Sequence, residues 1–92
     1  MRYAERRDRN EPEIVSALER IGCLVWPLDS RGPADLLILR ASRLHLIEVK
    51  DGDKSPSQRK LTKTQTATHK LWPVKVVASV RDVLALHRLG MI

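Results

Sequence analysis

Two short apolar runs, Leu36 to Leu39 and Leu44 to Ile47, set the tightest limit on what this chain can fold into. Only Arg40 to Arg43 separate them, too few residues for a crossover, so the runs are expected to pair as an antiparallel hairpin. The second run continues into Glu48-Val49, giving a strand from Leu44 to Val49 with Lys50 at its end. Both runs are nearly continuous in Leu and Ile rather than alternating, which predicts a sheet covered on both faces. Antiparallel pairing returns the end of the second strand to the start of the first. Asp35, which opens the first strand, should therefore meet Glu48 and Lys50 at one corner of a small sheet.

The rest of the chain supplies helices and two further strands. Asn10 is placed as an N-cap, Pro12 suits a first turn, and Glu11 and Glu13 suit the positive end of the dipole, so a helix is expected from Glu11 to Ile21. Ile14, Val15, Leu18 and Ile21 give it one apolar face, and Gly22 stops it. Cys23 to Trp26 reads as a strand closed by Pro27, and Asp29 to Pro33 as a loop. Asp51 to Ser57 is polar, carries Gly52 and Pro56, and reads as a mobile loop. A second helix should start near Thr62, carry Gln65, Thr66, His69 and Lys70, and break at Trp72-Pro73. Val74 to Ala78 is a fourth strand. Ser79 caps a last helix containing Val80, Val83, Leu84, Leu86 and Leu89 and ending at Gly90. The expected fold class is α/β: a small mixed sheet of about four strands flanked by helices, in the order α-β-β-β-α-β-α.

With 92 residues, one domain over 1–92 must both fold and act. Seventeen Lys and Arg against eleven Asp and Glu leave a formal charge of +6, which favours a polyanionic partner, nucleic acid before anionic membrane. Residues 1–10, with Arg2, Arg6, Arg7 and Arg9, form a basic arm expected to be loosely ordered as far as Asn10. Arg6, Arg7 and Arg9, with Lys54, Arg59, Lys60 and Lys63 around the central loop, are the expected phosphate contacts. No run reaches the roughly 18 to 20 apolar residues of a membrane span, and the start of the chain has no apolar core of a signal peptide. A soluble, cytoplasmic protein is therefore expected. Cys23 is the sole cysteine; it lies in an apolar stretch and reads as a buried thiol, and a cysteine-rich zinc site within one chain is excluded.

Cutting a phosphodiester requires charge neutralisation on the transition state, a deprotonated water and stabilisation of the leaving oxygen, and carboxylate-held magnesium or manganese serves all three. A strand's period of two puts Glu48 and Lys50 on one face and Val49 on the other. Glu48 can then ligate a metal while Lys50 reaches the scissile phosphate or the attacking water. Asp35 can reach the same ion from the neighbouring strand, and Glu13 from the first helix if that helix packs across the sheet. Taken singly, each has a plainer reading: an exposed Glu-x-Lys pair, a turn aspartate, a first-turn acid. His45, His69 and His87 lack metal-ligand spacing and read as surface or satisfied core. Trp26 and Trp72 read as core or rim rather than stacking platforms, since aromatics make up only 3% of the chain and none are interleaved with the basic clusters.

Nearly the whole chain resembles the virus-type replication-repair nuclease (VRR-NUC) domain, within the PD-(D/E)xK superfamily that includes restriction endonucleases and archaeal Holliday junction resolvases. Asn10 to Val15 with Leu18 and Gly22 look like the family's first helix, Gly32 to Asp35 like its Gly-x-Pro-Asp element, Ile47 to Lys50 like its Glu-x-Lys strand, and Leu61 to Gln65 like its following helix. Ala34, standing between Pro33 and Asp35, departs from the family pattern, as does the lack of a glycine at Leu71-Trp72-Pro73. The resemblance implies a restriction-endonuclease-like core and a site of Glu13, Asp35, Glu48, Lys50 and Gln65, with Gln58 as a rival for the Gln role. It also implies magnesium or manganese, bound by Glu13, Asp35, Glu48 and the Val49 carbonyl, with no small-molecule cofactor. The activity implied is that of a DNA endonuclease selective for branched or junction DNA and acting as a homodimer, a repair-type enzyme at home in a phage or a bacterium. The competing readings are a non-catalytic nucleic-acid-binding domain of the same fold and a structural subunit whose basic charge is incidental.

Overall fold

The computed structural model describes residues 8–54, 57 and 60–92. The elements follow as α1 (Glu11–Arg20), β1 (Leu24–Pro27), β2 (Leu36–Arg40), β3 (Arg43–Val49), α2 (Lys63–Leu71), β4 (Val74–Val77) and α3 (Val80–Arg88). The sheet order is β1-β2-β3-β4; the first two pairings are antiparallel and β3 with β4 is parallel. This is an α/β fold with a four-stranded mixed sheet and three helices, in the expected element order.

The hairpin turns more tightly than the sequence reading had it. Pairing continues to Arg40 opposite Arg43, leaving a two-residue loop in which Ala41 and Ser42 take φ of 51° and 64°. Two positive φ angles are what a type I′ turn demands, and its twist matches that of the strands. Neither residue is the glycine or asparagine that adopts this conformation readily.

The end of α1 is built as its sequence suggests. Gly22, at φ 98°, donates its N–H to the Glu19 carbonyl, while Cys23 donates to Leu18, the two bonds of a Schellman closure. Arg40 Nε adds a third cap, donating to the Ile21 carbonyl at 2.8 Å. The start of α1 departs from expectation. Asn10 makes no side-chain capping bond; its amide instead donates to the carbonyls of Lys50 and Ala78, both at 2.9 Å. That pair of bonds ties the head of α1 to the ends of β3 and β4. Arg9 in turn pairs with Asp51 at 3.5 Å and Asp53 at 3.9 Å. Residues 8–10 are thus fastened to the body rather than loose, while Arg6 and Arg7 lie outside the described residues.

The core lies on one face of the sheet. Ile14, Ala17 and Leu18 of α1, Val83 of α3 and Ile92 pack with Leu36, Ile38, Ile47, Val49 and Val77. Cys23 belongs to this cluster, and burial raises its thiol pKa, as expected of a structural cysteine. The opposite face corrects the expectation of a sheet covered on both sides. Leu24 and Trp26, each 70% exposed, share it with Leu37, Leu39, Leu44 and Leu46. Helix α2, none of whose residues is fully buried, meets this face at the Glu48 end, through the contacts described below. A continuous apolar run records that both faces of a strand are apolar; it does not record that this chain supplies a cover for both.

Candidate active site at the corner of the sheet

Pairing of Leu36 with Ile47, continued by one residue, sets Asp35 across from Glu48. Asp35 Oδ2 accepts the Val49 N–H at 2.7 Å, and the Asp35 N–H donates to the Ile47 carbonyl, so its carboxylate is locked to the end of β3. Glu48 is 5% exposed. Its carboxyl pKa is pushed up to about 8, first by burial, then by the charge of Asp35 and a hydrogen bond between the two acids, with Lys50 pulling the other way. Burial disfavours the charged form of Glu48, and a neighbouring like charge adds to that cost.

Helix α2 delivers the next group. Thr62 caps it: the Thr62 hydroxyl accepts the Gln65 N–H at 3.1 Å and Gln65 Oε1 accepts the Thr62 N–H at 3.1 Å, a reciprocal capping box. The same Gln65 side chain donates from Nε2 to Glu48 Oε2 at 2.9 Å and accepts at Oε1 from Lys50 Nζ at 2.6 Å. Asp35, Glu48, Lys50 and Gln65, all expected at the site, are therefore brought together. Gln58 lies outside the described residues.

Two expected ligands stand differently. Glu13 is exposed, in a shallow depression with Asn10, Asp51, Asp53 and Ser79, and the structure does not join it to Asp35 and Glu48. The first-turn acid that α1 buries is Glu11, at 9% exposure. Val49 meets the site through its N–H, which donates to Asp35 Oδ2.

Two residues outside the expected set face this group. Asp8 lies close enough for its carboxyl to respond to Lys54, Asp35, Lys50 and Asp51, and its pKa is raised, chiefly by burial. His69, one turn after Gln65 on the same face of α2, is mostly buried, with Nε2 3.9 Å from Glu48 Oε1. Burial, and then the charge of Lys50, lower its pKa. Its position relative to Gln65, four residues on, was the available signal, because i and i+4 share a helix face.

The donor set suits a hard divalent cation. Adjacent carboxyls whose mutual repulsion raises one pKa are the electrostatic situation a cation relieves. Among the described residues no three His, Cys, Asp or Glu side chains already converge as a metal site, so an ion at Asp35 and Glu48 would take water for much of its shell, as magnesium commonly does.

Around the site Lys54, Lys60 and Lys63 are exposed, and Arg59 lies outside the described residues. Among the described residues no helix is long and apolar enough to cross a membrane. Comparison with protein families, with characterised proteins and with solved structures gives no match to this chain.

Proposed function

We propose that this chain is a metal-dependent endonuclease that hydrolyses phosphodiester bonds in DNA, with the restriction-endonuclease-like core of the VRR-NUC domain it resembles. One observation carries the reading: a buried Glu48 pressed against the half-buried Asp35 and joined through Gln65 to the ammonium of Lys50. An ion pair serving stability alone has no use for a second acid that drives the first towards its neutral form.

Asp35 and Glu48 would hold the magnesium or manganese ion, which when bound supplies charge neutralisation at the phosphate and an acidified water. Gln65 orients Glu48 by its bond to Oε2 and keeps Lys50 at a fixed reach. Lys50 presents its ammonium to the non-bridging oxygens or the leaving oxygen of the scissile phosphate, where a fixed positive charge is worth most as negative charge develops. Asp35 is held in place beside Glu48 by its bond to the Val49 N–H.

The polyanion is drawn in by charge segregation. Between Lys54 and Arg81 the chain carries Lys54, Arg59, Lys60, Lys63, Lys70, Lys75 and Arg81 and no acid, so the basic loop and α2 form a phosphate-facing flank. Branched or junction DNA is the proposed substrate, and the proposed assembly is a homodimer. The open sheet face with Leu24, Trp26 and Leu44 exposed offers the apolar surface a second copy would cover. The test is cleavage of labelled DNA with magnesium, manganese or EDTA. Salt-sensitive binding without cutting would leave a nucleic-acid-binding domain of the same fold.

A further inference from the structure

His69 stands in the site without an employment. Its Nε2 is buried and has no hydrogen-bond partner among the described residues, and at 3.9 Å from Glu48 Oε1 the pair is too far apart for a hydrogen bond. A buried polar atom left unpaired is destabilising and calls for an explanation. Bridging by a cation supplies one. Metal bonds from nitrogen and carboxylate oxygen run about 2.0 to 2.2 Å, so one ion can touch both atoms when they lie within about 4.2 Å of each other. Gln65 bonds Oε2 of Glu48, and Oε1 is the oxygen that faces His69. The arrangement comes from the sequence, since Gln65 and His69 are four apart on α2 and flank the two oxygens of one carboxylate.

We propose that His69 is a nitrogen ligand of the cation held by Glu48, and that it biases the site towards cations that accept imidazole, such as cobalt, over magnesium and manganese. The inference rests on the reading of Asp35 and Glu48 as a cation site. Carboxylates alone suit magnesium, calcium and manganese; an added imidazole favours the later transition metals.

The test is calorimetric titration of the full chain with cobalt, manganese and magnesium chlorides, comparing wild type with Glu48→Ala, His69→Ala and His69→Gln. Glu48→Ala should weaken all three cations. Both His69 variants should weaken cobalt by about tenfold or more and magnesium by less than about threefold. His69 variants that bind cobalt like wild type, while Glu48→Ala fails to, would overturn the inference and leave the carboxylate site standing. Equal weakening of all three cations would also overturn it, because His69 would then only steady Glu48. Binding unchanged in Glu48→Ala would bring down the cation site and the inference together.

Discussion

Gln65 holds Glu48 and Lys50 at once, its Nε2 donating to the carboxyl at 2.9 Å and its Oε1 accepting from the ammonium at 2.6 Å. One amide on α2 thereby fixes the spacing of an acid and a base that lie two residues apart on β3. Because Oε1 also completes the capping box with Thr62, the start of the helix and the geometry of the site depend on one side chain. Gln65→Ala should slow cleavage by about 10- to 100-fold, the usual cost of losing an orienting partner. It should also raise amide exchange in the first turn of α2, which hydrogen exchange measures. Unchanged cleavage with a frayed helix would reduce Gln65 to a cap.

The raised pKa of Glu48 gives stability a specific pH dependence. The Glu48 carboxyl titrates at about 8 in the fold against 4.5 ordinarily. A raised carboxyl pKa contributes stability that is complete below the ordinary value and lost as pH rises to the folded one. With EDTA present, the melting temperature of wild type relative to Glu48→Gln should therefore fall between pH 4.5 and about 8. Manganese should reduce that fall. A difference that is flat, or that rises with pH, would contradict the paired-carboxyl description.

Much of this corner was legible in the sequence because strand pairing is geometric. Two apolar runs four residues apart had to pair, and a period of two had to send Glu48 and Lys50 to one side. Gln65 was legible through its resemblance to a family motif. What escaped has physical reasons. Asp8 precedes α1, in a segment no periodicity describes, and reaches the site only because Asn10 fastens it to Lys50 and Ala78. Glu13 and Glu11 fit the first turn equally well by composition, and only packing decides that α1 buries Glu11. The open sheet face was misread because Leu24, Trp26 and Leu44 look the same in sequence whether covered or bare.

The hairpin holds removable strain. Ala41 and Ser42 sit at φ of 51° and 64°, where Asn-Gly is the favoured pair. Ala41→Asn with Ser42→Gly should stabilise the chain by about 1 kcal/mol. Calorimetry should register that as a rise of about 4 to 8 °C in Tm. A fall would mean that these side chains make contacts outweighing the strain.

The bare face should govern association. Trp26 and Leu44, 70% and 66% exposed, sit on β1 and β3 where a lysine would stay solvated in a monomer and be buried in a dimer. Trp26→Lys or Leu44→Lys should convert a dimer to a monomer in sedimentation equilibrium at micromolar concentration, with far-ultraviolet circular dichroism unchanged. A wild type that sediments as a monomer would remove the dimer from the proposal.

The central claim is that Asp35, Glu48 and Lys50 form a metal-dependent phosphodiesterase site. The most direct measurement is the cutting of labelled four-way-junction, duplex and single-stranded DNA by wild type, Glu48→Ala and Lys50→Ala, in magnesium, in manganese and in EDTA. Cutting by wild type that is fastest on the junction, stops in EDTA and falls at least about 100-fold in both variants is the expected result. Cutting that persists in Glu48→Ala, or no cutting of any substrate with either metal, would contradict it.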